Sequence, residues 1–499
     1  MTDTASLPTG KPSIDDEDAK LEQFGYTQKL DRSVGRLASF AIGFATISAT
    51  TAVFTGFGAG YFTAGGPFVW TLLLAAAVFV IWTLIAADLT AKIPLAGYAY
   101  QWTSRIHGSM LAWFTGVLAL AGWICGMTGV GFILSGYLGS LFGWNMSQTA
   151  QILVAIGVMA VCMLINMYGV RFATMVNNIG VSLEFVITVG ATILVAIVAF
   201  SSPNNHQSVS VLFTGGVSDG SSPYVLAWLA ASLGPFFGLI GVEASADVAE
   251  ETKDARHVIP RTMFYALSAS IVIEFLMYVV YVLAIKDQDA VAAATAAPIE
   301  EIMTQQVGPV ISKIVVAVAL TNVLACILAN ILVATRLTYS MARDNMLPFS
   351  HVWRHVSPSN RTPTYAVLGI FGFSTILLLS ALVAEKAFFL ILGLSSLAVC
   401  AMYLLQTVAV VIANRRGTIP APEPGTFDLG RARVPVAVLA MVCFTLVCAA
   451  LIFLPQFAGN GYVFLGLIVL AGIWAVTGLR KRLATGEAGP DYAKTHASS

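Results

Sequence analysis

Apolar runs recur along almost the whole chain, separated by short polar stretches, and their length decides what they are. A hydrocarbon core of ~30 Å takes about 20 apolar residues of helix. Runs of that size fall at 36–62, 67–91, 109–138, 147–168, 172–200, 224–249, 260–285, 309–342, 363–384, 387–413, 433–455 and 461–480. The pattern predicts an all-α polytopic membrane protein with twelve transmembrane helices, plus a short helix at the membrane surface within 92–108. On this division 1–32 is an N-terminal tail, 33–413 a ten-span core, 414–480 the last two spans and 481–499 a C-terminal tail. The first 30 residues carry the acidic run Asp15 to Asp18 and no apolar h-region, so they read as a cytosolic tail rather than a cleaved signal peptide.

Charge placement orients the spans. Of the 26 Lys and Arg, 23 fall on one side of the alternation, and only Lys286, Lys313 and Lys386 fall on the other. The positive-inside rule then puts both termini in the cytoplasm. Composition agrees: 57% of residues are hydrophobic and 10% charged, against roughly 25% charged in a soluble globular protein. An ordinary soluble enzyme and a disordered chain are both excluded. Equal numbers of basic and acidic residues, 26 each, argue against a nucleic-acid partner, which needs a basic face to offset phosphates. The six cysteines all lie in apolar runs with no CxxC pair and read as small core residues. No nucleophile–base pair or His-rich metal motif suggests an enzyme.

Two spans contain what a lipid-facing helix avoids. Span one holds Ile47-Ser48-Ala49-Thr50-Thr51-Ala52 followed by Gly56, Gly58 and Gly60; span six holds Ser232-Leu233-Gly234-Pro235-Phe236-Phe237-Gly238-Leu239-Ile240-Gly241. Broken backbone at membrane depth is tolerated only inside protein or beside a cavity. In a five-plus-five inverted repeat, spans one and six occupy equivalent positions, and paired interruptions point to a transporter's binding site. The bland reading of either segment alone is small-residue helix packing.

Carboxyls inside a span are costly and need a reason. Glu184 lies in span five, Glu243 and Asp247 in span six, and Glu274 in span seven. Glu243, Asp247, Glu250 and Glu251 share one helical face. Glu243, one turn below the break, is either a proton carrier or a buried acid bonded to freed backbone N–H groups. Glu250 and Glu251, beside Lys253, Arg256 and Arg261, read as a structural or gating ion-pair cluster. Glu184 suggests a proton or Na⁺ site, or a buried acid paired to a polar neighbour. Asn322 and Asn330 share a face of span eight, as cavity lining or as interhelical hydrogen bonds. Glu274 stays unassigned.

Five segments carry a family likeness: Gly25-Tyr26-Thr27-Gln28-Lys29-Leu30-Asp31-Arg32, Gly65-Gly66-Pro67, Ile93 to Trp102, Ile240 to Thr252 with Ile259-Pro260-Arg261, and Ala342 to Pro348. With these the chain resembles the amino acid–polyamine–organocation superfamily, and within it the amino acid–choline transporter family of GABA, choline, polyamine and amino-acid permeases. The resemblance implies a five-plus-five inverted repeat with broken helices one and six and two extra C-terminal helices. It also implies import of an amino acid or related amine across the plasma membrane by alternating access coupled to an ion gradient. The coupling ion is H⁺, with Na⁺ as the alternative, and there is no other cofactor and no metal. An amine exchanger, or an uncoupled receptor or channel on the same fold, is the rival reading.

Carried over by position, the resemblance places substrate contacts at Thr50, Thr51 and Ala52, at Trp123 and Cys125, and at Phe237, Gly238, Leu239 and Ile240; the broken segment of span one adds Ile47 and Ser48, and the polar face of span eight adds Asn330. Thr50-Thr51-Ala52 stands where the family has a Gly-Ser-Gly carboxylate-binding turn, which implies a narrower or retuned pocket. Phe237 takes the aromatic gating position in the resemblance, while the reading of the acids themselves makes Glu250 and Glu251 further gate residues and Glu184 and Glu243 candidates for ion coupling. Glu184 falls where pH-driven relatives place Lys and this subfamily often His.

Overall fold

A computed structural model describes residues 21–168, 170–214, 223–294, 297–382 and 387–490. Among the described residues the regular structure is helical, and the one extended pairing is a parallel bridge between Val34 and Thr252. Nine helices there are long and apolar enough to cross a membrane: Arg36–Ala64, Gly66–Lys92, Ser109–Phe142, Gln148–Met167, Ala255–Leu283, Pro309–Arg343, Gly393–Arg416, Gly430–Phe453 and Asn460–Ala484. Three shorter apolar helices, Val189–Phe200, Tyr224–Gly238 and Thr364–Ser380, fall inside the remaining apolar runs. Each of the twelve runs therefore holds helix.

Position in the bundle follows from how much of each helix is covered. The most apolar stretches of Gln148–Met167, Gly430–Phe453 and Asn460–Ala484 are 28%, 28% and 17% buried, against 83% for Arg36–Ala64. Apolar side chains facing lipid tails need no protein partner, so the first three form the rim and the broken first helix lies in the centre. Ser109–Phe142 (α1) packs against both Pro309–Arg343 (α2) and Ala387–Arg416 (α3), and α2 packs in turn against the broken first helix.

The 92–108 stretch does form its own helix, Tyr98–Ile106, and that helix is packed within the protein. Tyr98, Tyr100, Gln101, Trp102 and Thr103 are fully buried, and Gly97, at φ +80°, brings the chain so close to Pro309–Arg343 that an added Cβ would stand 2.5 Å from Cβ of Ser340. Span five is interrupted by a π-helical turn at Glu184–Thr188.

The first and sixth spans touch through glycine backbones. A Cβ on Gly56 would lie 2.9 Å from Cα of Gly234, and one on Gly234 would lie 2.7 Å from the carbonyl oxygen of Gly56. Neither neighbour is a flexible side chain that can yield. Gly56→Ala is expected to lower stability by about 1–3 kcal/mol through overpacking, read as a lower melting temperature in detergent, whereas Gly136→Ala, with open space around its Cβ position, should leave it unchanged.

Candidate functional site

Each break is made by a residue in left-handed conformation. Arg36–Ile47 ends and Ala49–Ala64 begins at Ser48, φ 40° and ψ 91°. That geometry is unfavourable for a residue with a side chain, and Ser48 holds it by accepting from the Thr51 N–H at 3.2 Å and bonding the Thr51 hydroxyl at 2.7 Å. In span six the helix runs to Gly238, passes through turns with Gly241 at φ +102°, and resumes as a tight helix over Ala244–Glu251. Pro235 does not end the helix, which runs past it to Gly238. Glycine is needed at 241, since a Cβ there would stand 2.7 Å from Thr46 Cγ2 and 2.9 Å from Trp123 Cη2.

The two breaks share one small cavity. Its walls bring together Ile47, Thr51, Ala52, Trp123, Phe237, Gly238, Ile240 and Asn330 from the sequence reading. They also include Thr46, Gly122, Gly126, Val130, Cys326 and Ser395, which it lacked. Four anticipated contacts stand elsewhere. Ser48 is consumed in the turn, and Leu239 is fully buried in the core. The Thr50 hydroxyl reaches Thr188 at 3.2 Å, and Asn322 donates to the same Thr188 at 3.4 Å, joining spans one, five and eight. Cys125 packs with Ile391 and Leu394: two residues on from Trp123 is a turn of about 200°, so the wall continues through Gly126 and Val130. Both glycines admit span ten, for a Cβ on Gly122 would meet Val399 at 2.3 Å and one on Gly126 would meet Ser395 Oγ at 2.9 Å.

Glu243 lies outside the cavity and is fully buried. Its partners are side chains rather than freed backbone: Trp82 Nε1 donates to one carboxylate oxygen at 2.9 Å, and the hydroxyls of Tyr98 and Tyr403 donate to the other at 2.7 Å each. Glu274 also stands at the break, with its carboxylate oxygens 3.0 and 3.3 Å from where a Gly238 Cβ would be. Glu184 opens the π-helical turn, and its side chain lies outside the described residues.

Below the break the acidic stripe finds bases from distant sequence, not its neighbours Lys253, Arg256 and Arg261. Glu251 pairs with Arg336 of α2 at 2.9 Å, both fully buried, and Glu250 pairs with Arg343 at 2.8 Å while also accepting from the Ala96 N–H at 3.1 Å. Arg256 instead meets Glu423 at 2.9 Å. The N-terminal segment closes over this end: Val34 N–H donates to the Glu251 carbonyl, Lys253 N–H donates to the Val34 carbonyl, and the Arg343 guanidinium stacks 3.6 Å above the Tyr26 ring.

A second charge cluster ties span two to the loop before span eleven. Lys92 contacts Asp88 at 2.6 Å and Asp428 at 2.7 Å, and Arg433 contacts the same two acids at 2.7 and 2.6 Å. The hydrogen bond from Lys92 holds the Asp428 carboxyl below the usual range. A carboxyl depressed on folding stabilises above its unfolded pKa of ~3.9 and loses that contribution as pH falls below it. Protection of loop amides around Asp428 in hydrogen exchange is accordingly expected to hold at pH 6 and to fade below about pH 4. Solvent screening keeps the effect of Asp428→Asn near 1 kcal/mol or less.

A family model described as amino acid permease matches residues 34–474, the whole stretch that holds the breaks, the cavity and the charge clusters. Similar proteins include Amino-acid permease 2 of Neurospora crassa, 23% identical across 90% of this chain and 84% of its own length. Another is the branched-chain amino acid permease BcaP of Lactococcus lactis subsp. cremoris, 27% identical across 66% of this chain and 73% of its own. The thiamine transporter thi9 of Schizosaccharomyces pombe is 23% identical across 75% of this chain and 70% of its own. A bundle of membrane-length helices, two of them broken around a shared buried cavity, and a match that spans nearly all of it, make this chain a member of the amino acid permease family: a multi-pass membrane transporter and not an enzyme.

Proposed function

We propose that this permease carries an amino acid or related amine into the cell across the plasma membrane, by alternating access about the two broken helices and driven by protons. The observation that carries the reading is the shared cavity. Span one contributes a helix end and a helix start at Ser48, span six contributes the same around Gly238 to Gly241, and both meet the cavity. Opposed helix ends offer carbonyls to an ammonium and N–H groups to a carboxylate. A twelve-span arrangement with an inverted repeat accounts for which helices pack. Exchanging spans one to five with six to ten turns the pair three and ten into eight and five, and both pairs are packed. The 23 basic residues on one side support cytoplasmic termini. Glu243 supports proton coupling, because it joins the broken helix to spans two and ten, which must shift against each other if access alternates; Glu184 is the second candidate.

The test is uptake of labelled amino acids and amines into proteoliposomes with and without an inward pH step. Accumulation that follows the pH step is expected. Uptake indifferent to pH and to Na⁺ removes the coupling, and saturable exchange without net uptake favours an exchanger.

A further inference from the structure

The cavity has a property that the family match leaves open: among the described residues, none of those lining it carries a charged side chain. Its polar groups are the hydroxyls of Thr46, Thr51 and Ser395, the Cys326 thiol, the Asn330 amide and the Trp123 indole. The nearby carboxyls are held outside. Glu243 is occupied by Trp82, Tyr98 and Tyr403. Glu274 is not part of the wall, although its carboxylate comes within 3.0 Å of where a Gly238 Cβ would be.

What charge the cavity offers comes from the backbone. The 12-residue helix Arg36–Ile47 ends there with its carbonyls, and the 16-residue helix Ala49–Ala64 starts there with its N–H groups. These are about half an elementary charge of each sign, matched to one ammonium and one carboxylate. Independent evidence for an acceptor comes from Trp123. It forms part of the wall, is 3% exposed, and its indole N–H has no partner among the described residues. A buried donor without an acceptor is unfavourable, and a ligand oxygen relieves it.

We infer that the cavity takes a net-neutral zwitterion, an amino acid with one ammonium, one carboxylate and an uncharged remainder, and rejects diamines, polyamines, choline and arginine. A second ligand charge enters a desolvated wall with no counter-charge, and choline brings a cation without the carboxylate that the N–H end and Trp123 require. The inference rests on the transport reading for its site, but binding is measured separately from transport.

Purified full-length protein in detergent is titrated with L-leucine, L-phenylalanine, L-alanine, L-arginine, putrescine and choline by thermal shift, and the same panel is run as counterflow in proteoliposomes. At least one neutral amino acid is expected to bind, with arginine, putrescine and choline at least about 100-fold weaker. Trp123→Phe should weaken the neutral ligand about tenfold without lowering the melting temperature of the unliganded protein. Asn330→Asp and Val130→Asp each place a carboxylate in the wall, and whichever folds should shift the putrescine-to-leucine affinity ratio upward at least about tenfold. Tighter binding of putrescine, arginine or choline than of every neutral amino acid overturns the inference, as does failure of all neutral amino acids to bind, or an unshifted ratio in a folded Asp variant. Binding of leucine without counterflow would overturn the transport reading and leave this one standing. Counterflow of putrescine would do the reverse.

Discussion

Arg336→Met is expected to destabilise the folded protein by about 3–5 kcal/mol, the cost of leaving a buried partner charge uncompensated. Arg336 and Glu251 are both fully buried, and Glu251 lies at the end of the broken sixth span. The guanidinium donates through two nitrogens, at 2.9 and 3.2 Å, to one oxygen of the carboxylate. The other carboxylate oxygen and the third guanidinium nitrogen have no hydrogen-bond partner among the described residues. A pair so incompletely satisfied gives little net stability over neutral side chains, yet either half alone is strongly unfavourable. The double variant Arg336→Met, Glu251→Gln should therefore recover most of the loss. Melting temperature in detergent checks both arms; a single variant as stable as the parent would show that the pair does not hold this end of span six.

Glu243→Gln is expected to abolish pH-driven accumulation while the protein still reaches the membrane. The carboxylate accepts from Trp82, Tyr98 and Tyr403 together. Indole N–H can only donate, so an amide that presents its own NH₂ to Trp82 leaves a buried donor facing a donor, at about 1–3 kcal/mol. If its carbonyl faces Trp82 instead, both tyrosines lose their acceptor and must turn their hydroxyls. Either arrangement weakens the joint between the broken helix and spans two and ten, and removes the one carboxyl among these four side chains. The measurement is uptake across a pH step beside a melting curve. A lower melting temperature with unchanged accumulation would assign Glu243 to structure alone.

Much of the site was legible because its signals are local. Ser48 and Gly241 sit in segments whose small and hydroxyl residues already contradict a lipid-facing helix, and both prove to be the left-handed points of the breaks. Asn330 was readable from its helical spacing. Cys326, four residues before it, lies on the same face and was hidden only because a lone thiol in an apolar run looks like any core cysteine. Gly122 and Gly126 carried the same i, i+4 sign of close packing. Ser395 had only a weak signal, a place beside Ser396 and Gly393 in an apolar run, and its position in the wall depends on span ten packing against span three.

The partners of the acids were the least readable part. Sequence neighbours suggested Lys253, Arg256 and Arg261 for Glu250 and Glu251, but residues adjacent on a chain that leaves a helix point to different sides. Arg336 and Arg343 come from 85 and 93 residues away. The same holds for Trp82 and Tyr403, 161 and 160 residues from Glu243.

Sequence by itself determined the solvent of this protein and hence its architecture: runs of apolar residues long enough for a bilayer have one stable form, helix, since lipid offers no hydrogen bond to an open backbone. It also located the two places where that form fails. Tertiary structure alone decided which side chains enclose the cavity between those breaks, that the described wall bears no charge, and which base or donor answers each buried acid. Helix formation depends on residues three or four apart, whereas a cavity wall and a buried ion pair are made by helices that meet only after the chain has folded.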